Sequence, residues 1–288
     1  MILVHAGAGG VSDDLVSQEA ECRDALERAL LAGAAELEQG GALDAVCAAV
    51  MVMEGFALFN AGYGSVLCSD GSVEMSAAVM RGSDRAAGAV AMLRSTRHPV
   101  AAAQTLLEAP PVLLAGTRAD EHAAAHGLEQ HDPSEFVTDR QRRRLERWLS
   151  NREEADRGTV GAVCLDGSGL LAAATSTGGR LGQRPGRVGD SPLIGAGTWA
   201  DRAVAVSCTG AGEAFIRCGA ARLLGVLVAQ GVSVESAART VLDEVAECDG
   251  VGGVIAVDAG GNVTLPFSTE AMPRGVWRPS QPPLIDVP

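Results

Sequence analysis

Residues Gly158 to Gly179 read GTVGAVCLDGSGLLAAATSTGG. Two apolar runs, Val160 to Leu165 and Leu170 to Ala174, flank Asp166-Gly167-Ser168-Gly169. That pattern predicts two antiparallel strands joined by a glycine-rich loop. A Gly-Thr pair opens the first strand and Thr175-Ser176-Thr177-Gly178-Gly179 closes the second. The two ends of a hairpin lie side by side, so Thr159 is expected near the closing hydroxyls at one edge of a sheet.

A threonine hydroxyl is a weak nucleophile until a base takes its proton, and the motif holds no His or carboxylate beside Thr159. Cutting the bond between Gly158 and Thr159 would give Thr159 a free α-amine of pKa about 8, which can serve as that base. Nucleophile and base would then be one residue. Gly158 suits the preceding position, because without a Cβ it accepts strained dihedrals and lets a hydroxyl approach its carbonyl. The plainer alternative is that Thr159 is a β-branched residue starting a strand.

Further blocks extend the pattern: PGRVGDSPLIGAG (Pro185 to Gly197), SCTGAGEAFIR (Ser207 to Arg217), FNAGYGSVL (Phe59 to Leu67), VEM (Val73 to Met75) and the opening HAGAGG (His5 to Gly10). Together with GTVGAV and AAATSTGG they resemble, in order and over nearly the whole chain, the plant-type asparaginase and isoaspartyl peptidase family of N-terminal-threonine hydrolases. The resemblance implies an α+β fold, a four-layer αββα sandwich, cut into an α subunit of residues 1–158 and a β subunit of residues 159–288. It implies an enzyme that cleaves the side-chain amide of L-asparagine and of β-aspartyl dipeptides through a β-aspartyl ester on Thr159. A glycosylasparaginase-like amidase and an unprocessed, non-catalytic binding relative are the alternatives.

Composition agrees with a small-molecule enzyme. The chain has 288 residues, 47% of them hydrophobic and 20% charged, enough for a substantial core, and no linker-like stretch divides it. A formal charge of -13 argues against nucleic-acid or anionic-membrane partners. Seven cysteines form no C-x-x-C pair, and the chain opens on the apolar Ile2 to Val4 without a basic leader, so a cytoplasmic setting is expected.

In His5 to Gly10 the third glycine of a dinucleotide fingerprint would fall on Ser12, so these glycines are read as sites of close backbone passage, with His5 a packing residue. Gln18 to Glu38 and Leu43 to Met53 carry helical periodicity. His122 and His126 stand at i and i+4, but without the Glu of H-E-x-x-H they are read as helix-surface histidines. The basic run Arg140 to Arg147, answered by nearby Glu and Asp, reads as a solvated helix followed by a mobile tail. Leu223 to Gln230 and Val234 to Ala246 read as helices, and Gly252 to Leu265 as a hairpin.

The resemblance assigns roles to particular residues. Thr159 would be nucleophile and base, Thr177 would hold it, and Asn60 would lie near it. Thr209 and Gly210 would form the oxyanion hole. Arg187 and Asp190 would clamp the α-carboxylate and α-ammonium of the substrate, with Gly212 lining the same pocket. A cation and an anion three residues apart suit a zwitterion, although alone they would read as a surface ion pair. The backbone carbonyls of Met53, Glu54, Phe56, Phe59, Ala61 and Tyr63 would form a sodium loop; no other cofactor is expected. A dimer of αβ heterodimers is implied. Ser76, Arg81, Ser268, Ala271 and Pro273 depart from the family pattern, the first two in a segment that would pack behind the nucleophile.

Overall fold

The computed structural model describes residues 1–11, 13–151 and 158–287. Its strands are β1 (Ile2–His5), β2 (Met75–Arg81), β3 (Ala87–Leu93), β4 (Leu113–Ala115), β5 (Val160–Leu165), β6 (Leu171–Thr177), β7 (Thr198–Ala200), β8 (Val204–Gly210), β9 (Gly252–Asp258), β10 (Val263–Thr264), β11 (Arg274–Trp277) and β12 (Leu284–Asp286). Its α-helices are α1 (Asp13–Ser17), α2 (Glu19–Gln39), α3 (Ala42–Glu54), α4 (Pro99–Gln104), α5 (Thr117–Ala125), α6 (Asp139–Asn151), α7 (Gly212–Cys218), α8 (Ala220–Ala229) and α9 (Val234–Glu247).

The strands form two sheets, ordered β12-β11-β1-β5-β6-β2-β3-β4 and β10-β9-β8-β7. Helices α2, α3 and α4 cover the outer face of the larger sheet, β5 and β6 face β8 across the middle, and α8 and α9 cover the smaller sheet. This is the expected four-layer αββα sandwich.

Side-chain alternation explains the layering. On β5, Val160, Ala162 and Cys164 join the core under the helices, while Val163 joins the core between the sheets. On β6, Ala172 and Ala174 point to the helices and Leu171 and Ala173 to the second sheet. Every residue of β6 is buried, so the strand reads as a continuous run of small residues. Helix α2 buries Cys22, Ala25, Leu26, Ala29, Leu30 and Gly33, one stripe at helical spacing. The apolar α3 buries Val46, Val50 and Met53 completely, each worth roughly 1.5–3 kcal/mol. Among the described residues no helix is long and apolar enough to cross a membrane.

Helix α6 departs from the solvated helix read from its charges. Gln141 and Leu145 are buried, and Gln141 Nε2 donates to the Gly64 carbonyl at 2.8 Å. One face of the basic helix therefore packs on the loop that follows α3. The tail expected beyond it, residues 152–157, lies outside the described residues.

Candidate active site

The hairpin register builds the surroundings of Thr159. Val160 pairs with Ser176, so Thr159 falls opposite Thr177. Thr159 Oγ1 donates to Thr177 Oγ1 at 3.2 Å. Thr177 Oγ1 also accepts the Gly179 N–H at 3.0 Å and donates to the Gly158 carbonyl at 3.1 Å. Asn60 Nδ2 donates to the same Gly158 oxygen at 2.8 Å and to the Gly179 oxygen at 2.7 Å, while its Oδ1 accepts the Val66 N–H at 2.9 Å. The carbonyl before Thr159 is thus held by two donors. Ser176 faces the other way and donates to buried Glu54 Oε1 at 2.6 Å.

A chain of buried hydroxyls supports this strand from below. His5 Nε2 lies 3.0 Å from Ser207 Oγ, Ser207 Oγ 2.8 Å from Thr175 Oγ1, and Thr198 Oγ1 donates to Thr175 Oγ1 at 2.7 Å. Burial pushes the His5 imidazole down to about 3, so it stays neutral at working pH and serves packing, as read from sequence. The glycine-rich opening also behaves as read. Gly7 has φ of 105°, and a Cβ there would come 2.9 Å from Gly158 Cα and 3.1 Å from the Thr159 nitrogen. Only glycine lets this loop pass over the Gly158–Thr159 peptide.

Beside the threonines lies a narrow cleft. Thr159, Thr177, Arg180, Arg187, Asp190, Gly210, Gly212 and Glu213 line it. Asp190 is buried, its Oδ2 has no hydrogen-bond partner among the described residues, and desolvation raises its carboxyl to about 6. A buried carboxylate oxygen without a donor is costly unless a cation arrives to meet it. Arg187 pairs through Nε and Nη2 with the two carboxylate oxygens of Glu213, both at 3.0 Å, and through Nη1 with Gln183 Oε1 at 3.3 Å. A Cβ on Gly212 would stand 2.8 Å from Asp190 Oδ1 and 2.9 Å from Arg187 Nη2, so position 212 adjoins both groups.

Gly210 lines the cleft, whereas Thr209 is fully buried behind it with Oγ1 accepting the Ala8 N–H at 3.1 Å. Sequence reading missed Glu213, Gln183 and Arg180. Glu213 was visible only as the last residue of TGAGE, and its pairing with Arg187 joins segments that meet through the fold.

Ser76 lies opposite Thr177 in the β2–β6 register, and its Oγ accepts the Met92 N–H at 3.3 Å. Arg81 stands at the far end of β2, opposite Ala172, and pairs with Asp84 and Glu108. Ser268 Oγ accepts the Gly252 N–H at 3.1 Å, beside Gly210 on the neighbouring strand. Ala271 and Pro273 bond through their carbonyls to the opening loop.

The expected sodium loop turns several carbonyls inward. A Cβ on Gly64 would strike the oxygens of Phe56, Ala57 and Phe59, and one on Gly62 would strike that of Glu54. These are neutral oxygen donors of the kind a hard monovalent cation takes. Phe56 and Phe59 also accept backbone N–H groups at 3.1 and 2.9 Å. His122 Nε2 is engaged by Thr105 Oγ1 at 2.9 Å and His126 Nδ1 by the His122 carbonyl at 2.8 Å. Among the described residues no cluster of three His, Cys, Asp or Glu is placed to hold a metal.

The family model described as Asparaginase matches residues 1–283. The chain is 44% identical to an isoaspartyl peptidase of Escherichia coli, over 95% of this chain and 91% of that one. It is 40% identical to an isoaspartyl peptidase/L-asparaginase of Bos taurus, over 95% and 91%. A plant-type L-asparaginase of Pyrococcus abyssi is 37% identical, over 94% of each chain. With the threonine pair, the held glycine carbonyl and the αββα layers in place, this chain belongs to the asparaginase family of N-terminal-nucleophile hydrolases.

Proposed function

We propose that this protein cuts itself between Gly158 and Thr159 and then hydrolyses the side-chain amide of L-asparagine and of β-aspartyl dipeptides. The observation that carries the reading is the Thr159–Thr177 hydroxyl pair beside a carbonyl held by Asn60, next to a cleft with an unpartnered buried carboxylate.

In the self-cleavage step Thr159 Oγ attacks the Gly158 carbonyl carbon, and negative charge grows on the oxygen that Asn60 Nδ2 and Thr177 Oγ1 already hold. Preorganised donors of this kind are worth roughly 3 kcal/mol each. The amide passes to an ester on Thr159, the Thr159 nitrogen gains the proton, and water hydrolyses the ester to leave a Gly158 carboxylate and a free amine. That amine then takes the hydroxyl proton in each turnover.

In turnover Asp190 meets the substrate ammonium and Arg187 the α-carboxylate. Glu213 takes the Nε and Nη2 donors and Gln183 accepts one bond from Nη1, which leaves the remaining Nη hydrogens for a substrate carboxylate. Thr159 Oγ attacks the β-carbonyl, the oxyanion is met by Gly210 and Thr209, and ammonia or an amino acid departs with the amine's proton. Water then releases aspartate. A sodium ion in the loop after α3 would hold Phe59 and thereby Asn60 in place. The mature enzyme is a dimer of αβ pairs working in the cytoplasm; cysteines without disulfide partners fit that reducing setting.

The test is the intact mass of purified protein held at neutral pH. Two fragments dividing at Gly158 and Thr159, together with release of aspartate from both substrates, are expected. Thr159→Ala should give one chain without turnover. A wild-type chain that stays whole and inactive would leave the binding-relative reading standing.

A further inference from the structure

The cleft holds two cations; to the described residues only the Arg187 guanidinium is hydrogen-bonded, while the charge of Arg180 also acts on Glu213. Arg187 is tied to Glu213 and Gln183. Arg180 is exposed, and no hydrogen bond or ion pair to a described residue restrains its guanidinium. Its backbone, in contrast, is fixed. Asn60 Nδ2 donates to the carbonyl of Gly179, Gln183 Oε1 accepts the Arg180 N–H at 2.9 Å, and the Arg180 carbonyl accepts the Gln183 N–H at 2.9 Å. A pinned base with a free planar donor group is preorganised to bind a carboxylate.

Substrate chemistry decides which carboxylate. L-asparagine carries one ammonium and one carboxylate, and Asp190 and Arg187 account for both. A β-aspartyl dipeptide adds the C-terminal carboxylate of its leaving amino acid, beyond the scissile amide. Arg180 directly follows Thr177-Gly178-Gly179, the strand end paired with Thr159, and lines the same cleft as the Asp190 and Arg187 clamp, so it is a third charged contact for a substrate that carries a third charge. Charge balance agrees. Without Arg180 the cleft's Arg187, Asp190 and Glu213 sum to one net negative charge and repel a dipeptide of the same sign; with Arg180 the sum is zero.

We infer that Arg180 is a specificity residue that binds the C-terminal carboxylate of the leaving amino acid and favours isoaspartyl dipeptides over asparagine. This rests on the amidohydrolase reading above. The experiment measures kcat/KM of the matured enzyme for β-aspartyl-leucine, its C-terminal amide and L-asparagine, in wild type, Arg180→Met and Arg180→Lys. Losing one such charge contact should cost Arg180→Met about tenfold on the free acid, with less than about twofold change on the amide and on asparagine. Arg180→Lys should recover part of the loss. Equal losses on all three substrates would overturn the assignment, because Arg180 would then serve the α-groups or the fold. An unchanged rate on the free acid would overturn it as well. A correctly cut wild type that hydrolyses none of the three would instead remove the amidohydrolase reading itself.

Discussion

Asp190 shows at the level of one residue how a buried charge in the proposed binding cleft stores instability. Its carboxyl sits at about 6 against an ordinary value of 3.8, chiefly because burial disfavours the charged form. A folded-state value above the unfolded one means that the stabilising contribution is full below about pH 4 and is lost as pH rises through 6. At neutral pH the buried charge therefore costs up to about 3 kcal/mol, which a substrate ammonium bound as proposed would offset. Two outcomes follow. Affinity for L-aspartate, measured by calorimetry, should fall about tenfold per pH unit below 6, and a flat affinity between pH 5 and 7 would remove Asp190 from the ammonium site. Asp190→Asn should bind no aspartate yet melt higher at pH 7, by roughly 1–3 kcal/mol.

Strand β6 divides two jobs between adjacent residues. Thr177 faces Thr159 and the Gly158 carbonyl, while Ser176 points to the helical layer and donates to Glu54, which also accepts the Val100 N–H at 2.9 Å and meets His98 Nδ1 at 3.2 Å. Thr177→Val should slow self-cleavage by about 10²–10³, read as the rate of fragment appearance, because a donor to the developing oxyanion is gone. Ser176→Ala should leave that rate within a few-fold but lower stability by about 1–3 kcal/mol, since a buried carboxylate loses a donor. Melting both in the uncut Thr159→Ala background separates the two effects. The hydroxyl pairing was legible in sequence because a hairpin's register follows from neighbouring residues. Other elements were not legible, for physical reasons. The β2–β3 hairpin places its left-handed turn residue on Arg85, with φ of 62°, where no glycine signals it, and β2 is buried on both faces, so no alternation marks it. Arg187 meets Glu213 only where the loop after β6 meets the start of α7, and Asn60 reaches Gly158 only because α3 packs on β5 and β6. No local pattern encodes such contacts.

At the scale of the molecule, the sheet order decides what cleavage can do. Residues 1–158 supply β1, β2, β3 and β4 to the larger sheet, and residues 159–288 supply β5, β6, β11 and β12. These do not form separate halves. β1 lies between β11 and β5, pairing Ile2 to His5 with both neighbours, and β2 pairs along its length with β6. Helix α3, from the first fragment, packs on β5 and β6 from the second. Cutting one peptide bond removes a covalent link but none of these ladders. Separation would expose the faces of Val160, Ala162 and Ala174 together with those of Val46 and Val50, at about 25 cal/mol for each Å² of apolar surface uncovered. The two fragments should therefore co-elute as one species on native size-exclusion chromatography and resolve only in denaturant. Unfolding should show one shared transition, because neither fragment retains the complete larger sheet on which both helical and second-sheet layers pack. Fragments that part in native buffer after cleavage would contradict the interleaved strand order, and with it the placement of β1 between β5 and β11.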